Sequence, residues 1–151
     1  MKLMRRTMLK NAALAALFAA VLRPVRALAG EWNKLAFGSQ GVGDAFKFIG
    51  AAGARQSKDV VITAPTIAED GSAVPVSVLS RIANTASIAV FVDRNPLPLA
   101  GSFEFAASAV PEVSLRLKFS ESSTLRAVVM AGGKAYSAQQ EVKVTAGGCG
   151  G

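Results

Sequence analysis

The stretch Val113-Ser114-Leu115-Arg116-Leu117-Lys118-Phe119-Ser120 decides the fold, because apolar and polar residues alternate along its whole length. Successive side chains of a β-strand point to opposite faces, so this alternation predicts one buried and one solvated face. Further strands are expected at residues 60–63, 74–82, 88–92, 102–105, 125–130 and 135–145, the last with Val142 and Val144 inward. About seven short strands with turn signals roughly every ten residues are typical of an all-β fold, an immunoglobulin-like antiparallel β-sandwich.

The connections between these strands carry the residues that turns require. Residues 67–70 lead into a predicted turn at residues 69–72, and Ala131-Gly132-Gly133-Lys134 predicts a hairpin turn. Asp93-Arg94-Asn95-Pro96-Leu97-Pro98 interrupts the strand pattern, since a proline lacks the N–H that a central strand needs. Ahead of the strands, residues 31–53 predict a short N-terminal helical segment that ends at Gly53. The residues expected on one face of that helix are Ala45, Phe48, Ile49 and Ala52.

The first 29 residues have the composition of an export signal. A basic stretch contains Arg5-Arg6, an apolar run follows at residues 12–22, and Ala27-Leu28-Ala29 offers a small-x-small cleavage pattern. The apolar run is too short to span a membrane comfortably. We interpret residues 1–29 as a twin-arginine signal peptide, with a membrane anchor helix as the alternative. This predicts a periplasmic protein with no stable membrane span after signal cleavage.

The net charge of +7 does not indicate a nucleic-acid-binding protein. Residues 1–30 hold 6 of the 17 basic residues and no acidic residue, whereas residues 31–151 hold the other 11 against all 10 acidic residues. A nucleic-acid interface needs a basic patch on the folded domain. The basic balance therefore belongs to the predicted signal, and we expect no nucleic-acid partner.

The tail Thr145-Ala146-Gly147-Gly148-Cys149-Gly150-Gly151 holds the only cysteine of the chain. Glycine has no Cβ, so glycine pairs on both sides of Cys149 are costly to order and cannot build a core. A leftover cysteine in an exported protein suggests a reactive thiol or an intermolecular disulfide. We therefore divide the chain into the signal peptide at 1–29, a β-sandwich domain at 30–145 and a flexible arm at 146–151.

Most other chemistry is excluded by the residues that the chain lacks. Without histidine there is no Ser-His-Asp or Cys-His nucleophile, and the commonest metal ligand is missing. One cysteine alone cannot build a zinc or iron–sulfur site. The adjacent acidic residues Glu69 and Asp70 precede a glycine, which favours a solvated turn over an acid/base pair. We therefore expect no catalytic residue, no metal site and no cofactor, and a protein that is not an enzyme.

The tail also matches a known family. Val144-Thr145-Ala146-Gly147-Gly148-Cys149-Gly150-Gly151 resembles the sulfur-carrying tail of the SoxY family, the carrier subunits of the bacterial thiosulfate-oxidising Sox system. Inner segments are similar to that family as well: Ala68-Glu69-Asp70-Gly71 followed by Val74-Pro75-Val76, Asn95-Pro96-Leu97-Pro98, and Leu115-Arg116-Leu117-Lys118. The chain departs from the family at residues 131–134, where an Asp-Gly hairpin is common, and this concerns the turn rather than the chemistry.

The resemblance implies that Cys149 holds thiosulfate-derived intermediates covalently while periplasmic enzymes act on them in turn. It implies a heterodimer with SoxZ, a second β-sandwich subunit. It also implies visits to a haem enzyme that loads thiosulfate, a hydrolase that releases sulfate and, in some organisms, a sulfane dehydrogenase. Gly147, Gly148, Gly150 and Gly151 would let the arm enter narrow active sites. The predicted strands at residues 113–120 and 125–130 are the candidate partner surfaces.

The thiol of Cys149 is expected to keep a pKa near the ordinary cysteine value of about 8.5, since no basic residue follows Lys143. Two other readings of the tail are open. A ubiquitin-like sulfur carrier would hold sulfur on Gly151 as a thiocarboxylate, which needs ATP that an exported protein lacks. An exported structural or interaction module would use Cys149 for an intermolecular disulfide.

Overall fold

The structure is a computed structural model that describes residues 32–146. The predicted signal peptide and residues 147–151, including Cys149, lie outside the described residues. Within the described residues, two short helices come first, α1 (Lys34–Phe37) and α2 (Val42–Phe48). The strands that follow are β1 (Arg55–Gln56), β2 (Val60–Thr63), β3 (Ile67–Asp70), β4 (Val74–Ser80), β5 (Thr85–Val92), β6 (Leu99–Glu104), β7 (Glu112–Leu117), β8 (Ser123–Ala131) and β9 (Lys134–Ala146).

The strands form two sheets, which confirms the predicted all-β sandwich. The larger sheet has the order β1-β9-β8-β5-β6, with β3 also paired to β9, and the smaller sheet has the order β2-β4-β7. Most neighbours are antiparallel, as expected, but β1 and β3 both run parallel to β9. Residues 32–146 contain nine strands instead of the expected seven: the two additional strands are β1, which is two residues long, and β3, which overlaps the predicted turn.

The core between the sheets is built from alternate residues of strands in both sheets. Its fully buried members include Val78 of β4, Val90 of β5, Val129 of β8 and Val142 of β9. Val142 is inward, as its alternation predicts, and Val144 packs partly buried against the same core. Ser80 also points inward from β4, where its hydroxyl lies 2.7 Å from Oγ1 of Thr85. A buried hydroxyl with a partner costs little, so the alternation of β4 continues through it.

The outer face of the larger sheet is covered by the two helices. Three fully buried alanines, Ala36, Ala45 and Ala51, pack in one cluster with Phe91 of β5 and Val128 of β8. Alanine lets a helix approach a sheet closely, and the Phe46 ring lies 4.8 Å from the ring of Phe91, centroid to centroid. The helical segment therefore covers the second face of the central strands, and those strands are buried on both sides.

The predicted helix boundaries and helix face are wrong in part. Ala45 is buried, but Phe48 keeps 45% of its surface exposed and Ala52 lies outside the helix. The helix ends at Phe48 because Gly50, with φ +73°, makes the left-handed turn that Gly53 was expected to make. The Ala51 amide donates to the Phe46 carbonyl at 2.7 Å, and the Gly50 amide to the Lys47 carbonyl at 3.0 Å, which is a Schellman cap.

The predicted hairpin at residues 131–134 is confirmed. Ala131 pairs with Lys134, and the two residues between them, Gly132 and Gly133, have φ values of +54° and +73°. Positive φ at both central residues gives the twist that joins antiparallel strands through a two-residue turn. The hairpin fixes the register of β8 against β9 and therefore decides which β9 residues reach the opposite end of the sandwich.

Candidate functional site

The predicted attachment residue Cys149 and its flanking glycines lie outside the described residues, so the site is described from its base. The described chain reaches Ala146, three residues before Cys149. We call residues 143–146 the arm root. β8 begins opposite the start of this segment, since Ser123 pairs with Val142. From Lys143 onward, β9 has therefore left the pairing with β8 that holds the rest of the strand.

One side of the arm root is held by β3, which runs parallel to it. Ile67 is paired with Lys143, Ala68 with Val144 and Asp70 with Ala146. The Lys143 amide donates to the Thr66 carbonyl at 2.9 Å, which starts this ladder. β3 is thus a four-residue strand that pairs along the arm root.

The other side of the arm root is held by a side chain. The Val144 amide donates to Oγ of Ser122 at 2.9 Å, and the same hydroxyl lies 3.4 Å from the Val144 carbonyl as a donor. Ser122 immediately precedes β8, so its hydroxyl continues the ladder where the backbone of β8 no longer reaches. The arm root therefore keeps hydrogen bonds on both sides as far as Val144.

A glycine beneath the arm root is required for close packing. Gly71 is buried, its carbonyl accepts the Phe119 amide at 2.7 Å, and a Cβ built on it would lie 2.5 Å from the Phe119 carbonyl oxygen. The same Cβ would lie 3.1 Å from Cγ1 of Val144. Any other residue here would have to move either the segment that follows β7 or the arm root.

Three connections share this end of the sandwich with the arm root, and we call it the arm end. Val74 pairs with Leu117, so β4 begins here and β7 ends here. Val92 pairs with Leu125, so β5 ends beside the start of β8. The three connections are the β3–β4 turn at 71–73, the β5–β6 loop at 93–98 and the β7–β8 connection at 118–122.

Side chains tie the β5–β6 loop to its neighbours. Asn95 donates from Nδ2 to the Lys118 carbonyl at 2.7 Å and accepts from the Ser120 amide at 3.0 Å, so its amide acts like a short piece of strand. Arg126 donates from Nε to both carboxylate oxygens of Asp93, at 2.9 and 2.8 Å. The loop is therefore fixed at its first and third residues.

The charged groups at the arm end are mostly solvated. Asp70, paired with Ala146, accepts from the Ser72 hydroxyl at 2.6 Å and from the Ser72 amide at 2.8 Å. These two hydrogen bonds, the one from the hydroxyl first, lower the pKa of Asp70 below its ordinary value of 3.8. A stable negative charge therefore stands beside the arm root. In the turn predicted at residues 69–72, Glu69, Asp70 and Ser72 are exposed as expected, whereas Gly71 is buried and the first two residues end β3.

The possible metal-ligating side chains within residues 32–146 do not form a cluster at the arm end. No three His, Cys, Asp or Glu side chains in that part of the chain are placed to hold a metal ion. No helix among the described residues is both long and apolar enough to cross a membrane. What the arm end presents is a strand terminus held by hydrogen bonds on both sides as far as Val144.

The family model described as "Sulfur oxidation protein SoxY" matches residues 46–149. The chain belongs to the SoxY family. The solved structure of the sulfur carrier protein SoxY from Chlorobium limicola f thiosulfatophilum is 38% identical, with a TM-score of 0.65, and the match covers 75% of this chain and 99% of that one. SoxY membership makes this chain a carrier protein of sulfur oxidation.

The other comparisons add nothing to this assignment. A structure of the bacterial superantigen toxic shock syndrome toxin-1 matches with a TM-score of 0.40 and 13% identity, over 56% of this chain and 98% of that one. A likeness at this level carries no argument about fold or function. No curated protein matches the sequence.

The structure distinguishes between the two predicted strands, at residues 113–120 and 125–130, that the sequence offered as partner surfaces of a SoxY chain. Residues 125–130 belong to β8, which lies between β5 and β9 in the larger sheet and is covered by the helices on its outer side. β7 is an edge strand of the smaller sheet, and its outward residues Ser114 and Arg116 are exposed. Tyr136 packs partly buried against the core.

Three residues that build the arm end of this SoxY chain were not singled out as functional from the sequence: Gly71, Asn95 and Ser122. Gly71 and Asn95 were quoted within family-like segments, which was the available signal. Ser122 carries no sequence signal, because a serine in a polar connection between strands is ordinary. Its role follows from the register of β8 against β9, which only the structure supplies.

Proposed function

We propose that this chain is a periplasmic covalent sulfur carrier that holds thiosulfate-derived intermediates on Cys149. The observation that carries the proposal is that the SoxY match runs to residue 149 and so includes the cysteine. The anchored chain reaches Ala146, three residues earlier. At about 3.3–3.6 Å per residue, the Cα of Cys149 lies at most about 10–11 Å from that of Ala146.

The proposed chemistry keeps sulfur in a bond that sulfur or an oxidant can form and break. Loading joins the Cys149 thiolate to the outer sulfur of thiosulfate: Cys–S⁻ + S₂O₃²⁻ → Cys–S–S–SO₃⁻ + 2 e⁻. The two electrons pass to the haem enzyme of the Sox system. Release of sulfate is a hydrolysis: Cys–S–S–SO₃⁻ + H₂O → Cys–S–S⁻ + SO₄²⁻ + 2 H⁺. The carrier supplies the sulfur atom, and the visiting enzymes, with a sulfane dehydrogenase in some organisms, supply the catalysis.

The residues around Cys149 suit transfer between several active sites. Gly147, Gly148, Gly150 and Gly151 have no side chains that could clash with a narrow channel, and residues 146–151 form the proposed arm. The negative charge of Asp70 at the arm root opposes formation of a thiolate close to it. This supports a thiol that is activated inside the partner's site instead of on the free carrier.

The proposal includes export and a defined domain order. Residues 1–29 act as a twin-arginine signal, residues 30–145 form the carrier domain, and cleavage releases the carrier into the periplasm. The basic pair Arg5-Arg6 and the apolar run at 12–22 support this route. The near-neutral net charge of residues 31–151 suits a carrier that meets several partners.

The carrier is proposed to act as a heterodimer with a SoxZ-like β-sandwich subunit. The smaller sheet supports this, because its outer side has no helix packed on it among residues 32–146. A shallow depression of about 560 Å³ lies there, lined in part by Pro75, Ser77, Ser114 and Arg116. Edge strand β7 borders it and is the remaining candidate of the two sequence-predicted surfaces.

The test is the intact mass of periplasmic protein isolated without reductant from cells fed thiosulfate, with Cys149→Ser as the control. We expect adducts with the mass of an S₂O₃ group or of single sulfur atoms, removed by reductant and absent from the variant. Sulfur on Gly151 would instead indicate a thiocarboxylate carrier. A bare thiol or a simple disulfide dimer under every sulfur source would support an exported structural or interaction module and refute the carrier function.

A further inference from the structure

β9 has two parts that the rest of the domain holds very differently. Residues 134–142 pair with β8 through nine residue pairs, and this part ends at Val142, which is fully buried. The arm root, residues 143–146, has left β8 and pairs with β3 through three residue pairs. The boundary between the two parts therefore lies between Val142 and Lys143.

Little apolar surface holds the arm root in place. Lys143 and Thr145 are exposed, and Val144 is only partly buried. In β3, Ile67 is exposed, and Ala68 is the one buried side chain among the four residues of that strand. Because burial of apolar surface is the main stabilising term, Ala68 and Val144 supply most of the stability of this pairing.

The hydrogen bonds at the start of the arm root come from connecting segments. On one side, the Lys143 amide donates to the Thr66 carbonyl at 2.9 Å, and Thr66 precedes β3. On the other side, the Val144 amide donates to Oγ of Ser122 at 2.9 Å, and Ser122 precedes β8. Short segments with few buried contacts and exposed hydrogen bonds open at a free energy well below that of global unfolding.

Release of the arm root would leave the rest of the sandwich intact. Val142 would stay buried and paired with Ser123, so β8 and β9 would keep their register. Gly71 would keep the hydrogen bond from the Phe119 amide, because that bond does not involve β9. Opening therefore costs only the contacts of the arm root itself.

Release would also more than double the reach of Cys149. With the arm root closed, the Cα of Cys149 lies at most about 10–11 Å from that of Ala146. With the arm root open, the last fixed residue is Val142, and the Cα of Cys149 can lie up to about 23–25 Å from it. The open form could therefore serve an active site too deep for the closed form.

We propose that the arm root is a releasable extension of the arm. It separates from β3 and Ser122 as one unit, with its hinge at Val142, and adds residues 143–146 to the arm when a partner enzyme has a deep active site. The inference rests on the proposed carrier function. A shallow site takes the closed form, whereas a deep site binds only the open form, so its apparent affinity falls with the open fraction.

The first measurement is amide hydrogen exchange in the full chain, followed by NMR. The Lys143 and Val144 amides bond to opposite sides of the arm root, but a unit that opens as one gives them the same protection. Ser122→Ala removes the bond to Val144 alone, and we expect both amides to exchange about fivefold faster. Ser114→Ala is the matched control, because the Ser114 hydroxyl donates to Oγ of Ser77 at 3.2 Å, and it should change neither amide.

The second measurement tests the reach with a linker that joins the Cys149 thiol to a lysine amine. Lys134 begins β9, so its Cα lies roughly 38–41 Å from that of Ala146, and Cys149 of a closed arm stays at least about 27 Å from Lys134. An arm that opens at Val142 can fold back close to Lys134. With a linker that spans less than the closed distance, a Cys149–Lys134 link within one chain requires opening. Mixing isotopically labelled and unlabelled chains distinguishes it from links between chains.

We expect a low yield of the Cys149–Lys134 link in the wild type and about five times more in Ser122→Ala. Ser114→Ala should give the wild-type yield. A small thiol reagent should label Cys149 at the same rate in all three proteins, because it needs no reach. Equal ratios in exchange and in linking would identify one opening as the cause of both.

Two results would overturn the releasable arm root. The first is faster exchange of Val144 in Ser122→Ala with Lys143 unchanged, which would mean that the hydroxyl holds one amide and not a unit. The second is the absence of a Cys149–Lys134 link from both the wild type and Ser122→Ala. Neither result concerns the attachment of sulfur to Cys149, which the intact mass of carrier from thiosulfate-fed cells tests separately.

Discussion

The two ends of the sandwich expose similar residues but hold them differently. At the arm end, Leu97 stands on a loop fixed by the side chains of Asn95 and Asp93. At the far end, Val110 stands on the β6–β7 connection, which includes Ala106-Ala107-Ser108-Ala109. Its fixed points are backbone hydrogen bonds, such as the Phe105 amide to the Ala86 carbonyl and the Ser80 amide to the Pro111 carbonyl, both at 2.9 Å.

This difference shows that the exposure of an apolar side chain does not measure how firmly its loop is held. Val110 is more exposed than Leu97, but alanines give its loop no side-chain hydrogen bonds with which to fix it. The loop at the arm end is therefore held by more side-chain hydrogen bonds than the far loop. Experiments should therefore disturb the contacts that hold the arm root. Matched residues at the far end of the sandwich serve as controls.

The largest effect is expected from Gly71→Ala. The added Cβ would lie 2.5 Å from the Phe119 carbonyl oxygen and 3.1 Å from Val144, so the backbone must shift. We expect the free energy of unfolding to fall by about 1–3 kcal/mol, as for overpacked sites. Denaturant unfolding followed by circular dichroism measures it. Wild-type stability in Gly71→Ala would show that the arm end is looser than described.

The far end supplies the control for this glycine, because Gly132 is needed for its backbone conformation and not for space. No atom lies within 4 Å of a Cβ built on Gly132, but its φ is +54°. Gly132→Ala is expected to cost about 1 kcal/mol, and Gly132→Asn much less, since asparagine tolerates this conformation. Gly71→Asn should be no better than Gly71→Ala. An asparagine rescue at both positions would contradict the steric explanation for Gly71.

A smaller and local effect is expected from Ser122→Ala. The variant loses the hydroxyl that binds the amide and carbonyl of Val144, so the arm root should open more often. At about 1 kcal/mol per hydrogen bond, hydrogen exchange of the Val144 amide should accelerate roughly fivefold with little change in global stability. Amide exchange followed by NMR makes the measurement.

The matched serine at the far end is Ser80. Its hydroxyl accepts from the Ile82 amide at 3.2 Å and pairs with Thr85, inside the core. Ser80→Ala should therefore lower global stability while leaving the relative protection of Val144 unchanged. If both variants gave the same exchange pattern, Ser122 would have no special role at the arm root.

The smallest effect is expected from Asp70→Asn, and it depends on pH. The pKa of Asp70 is lowered in the folded state, first by the Ser72 hydroxyl and then by the Ser72 amide. The ionised carboxylate therefore adds stability above the ordinary value of 3.8, and this is lost as pH falls through the lower folded pKa. Thermal midpoints of wild type and Asp70→Asn should differ slightly at neutral pH and converge in acid.

Ser72→Ala tests the cause of this pH dependence. It removes the hydroxyl donor and keeps the amide donor, so most of the difference between neutral and acid pH should disappear. Because Asp70 is fully exposed, the effect should also shrink at high salt. A pH dependence unchanged by Ser72→Ala would mean that another group is responsible.

The fold was largely predictable because its signal is local. Alternation along residues 113–120 identified β7, alternation around Val142 gave the inward face of β9, and paired glycines at 132–133 gave the hairpin. Each of these patterns is set by the two-residue period of a strand or by positive φ. The tail cysteine was also conspicuous from local sequence alone, because the glycine-rich segment around it cannot build a core.

The features that were missed depend on contacts between distant residues. β3 is four residues long and was taken with the turn that follows, because nothing local shows that it runs parallel to β9. Gly50 ends α2 in place of Gly53 because Ala51, rather than Ala52, reaches the cluster beneath the helices. The face of a seven-residue helix was misplaced because a helix of two turns gives a weak periodic signal.

β9 is synthesised after every other strand of the described chain, yet it pairs with β1, β3 and β8. During synthesis β1 and β3 have no strand partner and β8 is paired only with β5, so this edge of the larger sheet closes only when β9 arrives. A chain interrupted before β9 leaves that edge open, and open edges are the features that aggregate or attract proteases. The strand that completes folding is the same strand that leads to the cysteine. A chain that ends before β9 therefore lacks both the closed larger sheet and Cys149.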